Sequence, residues 1–157
     1  MQLSLHSDYA LRVLLYLGTH PSKIVSTREI SRAYGISINH LVRVVKTLDE
    51  HGYVELFRGR SGGVRLARDP ADIRLGEVVR HAEPNLRLVE CFDPATNTCQ
   101  IMKSCGLKSL LNEALRSFLA RLDQHTLAEL VTSQRGAKLA AVLVKIQTKP
   151  PDRQAPA

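Results

Sequence analysis

The residue types with the clearest chemical potential in this chain are its three cysteines, Cys91, Cys99 and Cys105, separated by gaps of seven and five residues. An odd count cannot close into an intrachain disulfide framework, and clustered thiols in a reducing compartment point to metal or redox chemistry. The gaps are wider than the Cys-x-x-Cys pairs of a zinc finger. They suit an iron–sulfur cluster, a larger object that thiolates approach from several directions. Three thiolates leave one iron without a cysteine, so a fourth ligand of another kind, or an open site, is required. By residue type the candidates are Asp8, His81, Glu83, Glu90 and Asp93. Glu90 and Asp93 stand too close to Cys91 to reach across a cluster, and a lone histidine on a helical stretch, as His81 is, is more often a surface residue. Asp8, in the first turn of a helix, reads on its own as a carboxylate facing the positive end of the helix dipole. An oxygen ligand is a weak anchor beside three thiolates and is easily displaced, which suits a sensor better than an electron carrier. The plain alternative, three unrelated buried thiols, is disfavoured because all three fall in one polar loop.

A second set of residues is cationic. The chain of 157 residues carries a formal charge of +7, which favours a polyanionic partner. Arg58, Arg60, Arg65 and Arg68 crowd a short stretch that contains Gly59, Gly62 and Gly63 and no acid. Arg58, Arg60 and Ser61 form the tip of a flexible hairpin able to follow a phosphate backbone or enter a minor groove. Just upstream, Ser37, Asn39, His40 and Arg43, with Lys46 one turn on, make the polar N-terminal face of an amphipathic helix. Asn pairs bidentately with adenine and Arg with guanine in a major groove. A merely solvated helix face would look the same; the adjoining basic hairpin favours double-stranded DNA.

The elements that must position these groups follow from periodicity. A helix is expected over residues 7–19, with Ala10, Leu11, Leu14, Leu15 and Leu17 at helical spacing. Ser26 and Glu29 have the spacing of a capping box, and that helix stops at Gly35. Ser37 opens a third helix, running to about His51, with Ile38, Leu41, Val42, Val45 and Leu48 expected to face inward. Strands over 53–57 and 64–67 flank the glycine-rich turn. A short helix over 75–83 precedes the cysteine loop, and a long one from Leu107 to about Gln124 carries an apolar stripe of coiled-coil-like spacing suited to a dimer interface. The expected fold is mainly α with a small β wing: a winged helix-turn-helix plus a long C-terminal dimerisation helix. The expected organisation is a DNA-binding domain at 1–83, a cluster-binding loop at 84–106, a dimerisation helix and following short helix at 107–131, and a basic, disordered tail at 132–157. The apolar run Leu11–Leu17 is interrupted by Arg12 and too short to span a bilayer, so a cytoplasmic protein without a membrane partner is expected.

Taken together, several segments resemble the bacterial iron–sulfur winged-helix regulators over residues 1–131. They are Ser7-Asp8-Tyr9-Ala10-Leu11-Arg12, Asn39-His40-Leu41-Val42, Gly52-Tyr53-Val54, the wing from Arg58 to Leu66, Gly76-Glu77-Val78-Val79-Arg80, and the three cysteines. The likeness is greatest to the nitric-oxide-sensing branch of that family. The resemblance implies a homodimeric repressor with a 4Fe-4S cluster on Cys91, Cys99 and Cys105, and Asp8 supplied by the partner subunit as fourth ligand. It implies that nitric oxide attacks the cluster and frees the operator of nitrosative-stress genes. Arg12, four residues from Asp8, stands where it would orient that carboxylate. A sister branch that monitors iron–sulfur status carries a 2Fe-2S cluster and a histidine three residues after the last cysteine; here that position is Lys108, which argues against it. A thiol-redox regulator and an electron-transfer protein are the remaining alternatives. No nucleophile–base constellation or phosphate-cradling glycine loop points to an enzyme.

Overall fold

The computed structural model describes residues 2–59 and 62–148. Its N-terminal half is organised around one central helix, α1 (Leu5–Gly18), whose Ala10, Val13, Leu14 and Leu17 are buried. α2 (Thr27–Tyr34) and α3 (Ile38–Glu50) form the helix-turn-helix on one side of it. Ser26 caps α2 by accepting from the Glu29 amide, and Gly35 ends it in the left-handed region at φ 64°. Glycine reaches that conformation without steric cost. The turn is then locked by Ser31, whose hydroxyl donates to the Ile36 carbonyl at 2.6 Å.

α3 buries Leu41, Val44, Val45 and Leu48, a strict i, i+3, i+4, i+7 set. This corrects the inward face expected from sequence. Ile38 and Val42 are 41% and 54% exposed, and Val44 takes the place given to Val42. Val42 lies about a hundred degrees round the helix from Leu41, and Ile38, the first residue of α3, stays exposed at its open end.

The wing is the antiparallel pair β1 (Val54–Phe57) and β2 (Gly63–Leu66), in register Val54–Leu66 through Phe57–Gly63. Val25 bridges to Val64 through two backbone hydrogen bonds of 2.8 and 2.9 Å, tying the wing to the segment before α2. Glu55 and Arg65 face each other across the ladder and pair at 3.0 Å.

α4 (Leu75–Ala82) leads to the cysteine loop, and α5 (Leu107–Asp123) leaves it. The two pack at Gly76, where any Cβ would collide with the Asp123 carboxylate and the Leu119 carbonyl. Arg80 grips Asp123 with two hydrogen bonds of 2.8 and 2.5 Å, and Arg74 donates to the Asp123 carbonyl. The Arg80 hydrogen bond holds the Asp123 carboxyl below the usual carboxylate range. Along α5 only Leu119 is buried, while Leu107 and Leu110 are 56% and 61% exposed.

α6 (Leu127–Thr132) starts with a complete Thr126–Glu129 capping box. The disordered tail expected from residue 132 is corrected as far as residue 148: α7 (Gln134–Thr148) is a helix packed on α2 and α6. Leu143 is buried in the main core with Leu139 packed against it, and Gly136 fits against the α6 carbonyls of Leu130 and Val131. Burying Leu143 offsets the ordering entropy that the basic composition alone left uncompensated. Residues 149–157 lie outside the described residues. Among the described residues, no helix is long and apolar enough to cross a membrane.

Candidate functional site

The outer face of α3 carries Ser37, Asn39, His40, Arg43 and Lys46, all exposed. Ser37 is the N-cap, its hydroxyl accepting from the His40 amide at 3.3 Å. The capped end therefore presents the polar residues outward at a helix start, where the dipole favours phosphate. Lys46 makes a 3.6 Å pair with Glu50 on the same face. Val42, missed as a surface residue, stands among them and offers an apolar contact of the kind made to a thymine methyl. Arg58 is exposed at the start of the wing turn, followed by Gly59 at φ 106°. Arg60 and Ser61 lie outside the described residues. At the base of the wing Arg65 lies 5.0 Å from the Phe57 ring, which stiffens the stem.

The three cysteines are free and half-buried in the loop between α4 and α5. Short 3-10 turns at Glu90–Phe92 and Met102–Ser104 carry the chain past two of them. The loop is held by polar side chains. Asp93 accepts from Arg87 at 2.5 Å, from the Thr96 hydroxyl at 2.9 Å and from the Ala95 amide at 3.1 Å. The Thr96 bond, helped by the Ala95 amide and the Arg87 charge, holds its carboxyl below the usual range. Glu90 accepts from the Thr98 hydroxyl at 2.7 Å and from the Thr98 amide, with the same effect on its carboxyl. Between the loop's first residues, Leu3 and α5 runs a groove of about 400 Å³, with Leu86, Leu88, Leu111, Leu115 and Phe118 on its walls.

The thiols fit an iron–sulfur cluster in donor chemistry: soft, free and within one loop. Among the described residues, no group of three or more His, Cys, Asp or Glu side chains converges closely enough to hold a metal ion. The described chain thus supplies soft donors without a closed set. The oxygen and nitrogen candidates differ in what they already bind. Glu90 and Asp93 are spent on the loop itself. His81 accepts or donates through Nδ1 to Tyr53 Oη at 2.8 Å and stacks on His51 at 4.2 Å between ring centroids. Glu83 accepts from Ser4 and Ser7. Asp8 pairs with Arg12, whose Nε and Nη2 reach its two oxygens at 3.0 and 2.7 Å, and both side chains stay substantially exposed.

The turn that carries Asp8 also packs against α3. On the same first turns of α1, His6 Nε2 lies 3.1 Å from Thr47 Oγ1 of α3, and the Tyr9 ring is 6.1 Å from that of His40. Leu5, His6, Tyr9, His40, Arg43 and Val44 line a cleft of about 220 Å³ at this junction. Neither contact follows from a sequence signal, because the partners are separated by more than thirty residues.

Comparison with known proteins adds an independent observation. Residues 3–137 match the family Rrf2, described as an iron-dependent transcriptional regulator. The chain is 48% identical over 135 residues to the HTH-type transcriptional regulator NsrR of Bacillus subtilis, covering 85% of this chain and 92% of that protein. It is 46% identical over the same length to the NsrR of Shouchella clausii, of which it covers 91%. Among solved structures, T. potens IscR aligns with a TM-score of 0.67 at 26% identity, over 84% of this chain and 87% of that one. The oxidised form of Staphylococcus aureus CymR shares the fold, with a TM-score of 0.67 at 23% identity over 85% of this chain and 98% of that one.

Proposed function

The chain belongs to the Rrf2 family of transcriptional regulators, and from that premise we propose that it is a homodimeric repressor that releases its operator when nitric oxide attacks an iron–sulfur cluster. The observation that carries this reading is the concentration of all three free thiols in one loop with little buried side chain, in a chain that also keeps a partly exposed carboxylate, Asp8, on the helix that touches α3. Cys91, Cys99 and Cys105 would hold the cluster, with Asp8 from the partner subunit as the fourth ligand. A 4Fe-4S cluster held there supplies a centre that reacts with nitric oxide; a 2Fe-2S cluster is the alternative.

The residues of this chain have separable roles. Arg12 fixes the Asp8 carboxylate through two charge-assisted hydrogen bonds. The exposed leucines of α5 provide the apolar face that a second copy would cover. His6 and Tyr9 connect the turn that carries Asp8 to Thr47 and His40 of α3, so a shift of that turn moves the reader. Asn39, His40 and Arg43 read base edges from the N-terminal end of α3, with Lys46 and Ser37 on phosphates. Arg58, Arg60 and Ser61 form the wing's contact with the backbone or minor groove.

The test is anaerobic purification followed by titration with nitric oxide. The expected protein is brown, its visible absorbance bleaches, and operator binding measured by fluorescence anisotropy falls in parallel. An iron-free protein with unchanged DNA affinity would falsify this reading. A second reading, direct oxidation of the half-buried thiols, predicts a full DNA response from iron-free protein treated with a thiol oxidant.

A further inference from the structure

The start of α1 is anchored by a residue from the far end of the DNA-binding half. In a complete capping box the acid at N3 reaches back to the amide of the N-cap residue. Here the N-cap is Ser4 and N3 is Ser7, too short for that role. Glu83 takes the place of the missing acid from 79 positions away: its Oε2 accepts the Ser4 amide at 3.0 Å and the Ser7 hydroxyl at 2.6 Å. Ser7 is fully buried, so without this carboxylate its hydroxyl would lose its strongest acceptor where water cannot replace it. Ser4 Oγ in turn accepts from the Ser7 amide at 3.2 Å. Asp8 follows directly, and its own amide donates to the Ser4 carbonyl at 3.0 Å as the first helical bond of α1.

Glu83 itself belongs to a stiff frame. Its amide donates to the Val79 carbonyl at the end of α4, and α4 is locked to α5 through Gly76 and the Arg80–Asp123 pair. It is also the last residue before the cysteine loop. We infer that Glu83 is a positioning residue that clamps the first turn of α1 to the α4–α5 frame and so sets where Asp8 is presented. This rests on the reading of Asp8 as the partner cluster's oxygen ligand, but the clamp is itself observable without a cluster.

The experiment uses the full chain in both forms. In iron-free protein, hydrogen exchange of the amides over residues 5–9 is expected to quicken at least tenfold in Glu83→Ala. In Glu83→Gln it stays near wild type, since one amide oxygen accepts both bonds. The core amides of α3 stay unchanged in both. In anaerobically loaded protein, the visible circular dichroism of Glu83→Ala is expected to become that of Asp8→Ala, while Glu83→Gln keeps the wild-type spectrum. Ser7→Ala, which removes only the 2.6 Å bond, shifts both readouts the same way by less, and carries the test if Glu83→Ala does not fold. Wild-type exchange in Glu83→Ala, or in Ser7→Ala alone, overturns the clamp. Faster exchange with a wild-type spectrum overturns its role in presenting Asp8. A wild-type spectrum in Asp8→Ala instead defeats the ligand assignment, a failure distinct from that of the clamp.

Discussion

The helix α3 buries four aliphatic side chains in the core, whereas the loop over residues 84–106 buries only Asp93 and holds its shape with side-chain hydrogen bonds near the surface. The contrast in binding forces implies a contrast in stability. Apolar packing gives α3 a share in the global unfolding energy, while a loop with few buried contacts opens locally at far lower cost. A reader has to keep its side chains in register with base edges. A sensing loop has to rearrange around its ligand. On the proposed function the chain divides these demands between two regions, and the first turns of α1 touch both α3 and the residue that precedes the loop.

Truncation in the core tests the rigid side of this comparison most severely. Leu41→Ala is expected to cost about 2–5 kcal/mol of global stability by chemical denaturation, whereas Cys99→Ser in iron-free protein should stay within about 0.5 kcal/mol of wild type. Equal losses from the two would abolish the distinction. Gly76→Ala probes the frame between the regions; its methyl must displace Asp123, at an expected cost of about 1–3 kcal/mol. Retained stability there would mean α4 and α5 slide freely.

On the reading surface, Arg43→Ala should lose about 1–3 kcal/mol of operator affinity and relax preference at one base position. Arg58→Ala should weaken binding evenly across sequences and lower the salt slope by about 1. A sequence-selective loss from Arg58→Ala would instead make the wing a reader of bases.

The smallest effect concerns the joint between α3, the wing and α4. Burial, the stacked His51 and the nearby Arg68 and Arg80 push His81 below the ordinary histidine value, with Glu77 opposing. The folded state therefore resists protonation more than the unfolded chain does, and stability declines as pH falls below about 6.5. His81→Gln, which keeps a partner for Tyr53, is expected to flatten the change in Tm between pH 7.5 and 5.5. A variant as acid-sensitive as wild type would place that sensitivity elsewhere.

Much of the fold was legible because local signals agreed with one another. Ser26, Gly35 and Ser37 mark helix ends by backbone chemistry, and the helices and strands appear where those marks put them. The inward face of α3 was less legible, since Ile38 and Val42 are as apolar as Val44 and only the position of α1 distinguishes them. The helix α7 was hidden behind a basic composition because its ordering depends on the seat for Leu143 that the core supplies. At the candidate site, the three cysteines and the Asp8–Arg12 spacing could be read along the chain. The Glu83 anchor and the His6–Thr47 contact could not, because they join residues distant in sequence.

The sequence by itself determined the kinds of donor in the cysteine loop, the cationic reader and the order of elements between them. These depend on residue type and short-range spacing, which the unfolded chain already possesses. The tertiary structure decided which carboxylates remained open. Glu83, Glu90 and Asp93 each found hydrogen-bond donors on folding, and Asp8 kept a partly exposed carboxylate held, among the described residues, by Arg12. An acid's availability as a ligand depends on its neighbours in space: for Glu90 and Asp93 these come from the folded loop itself, and for Glu83 they exist only once α4 has been packed against the start of α1.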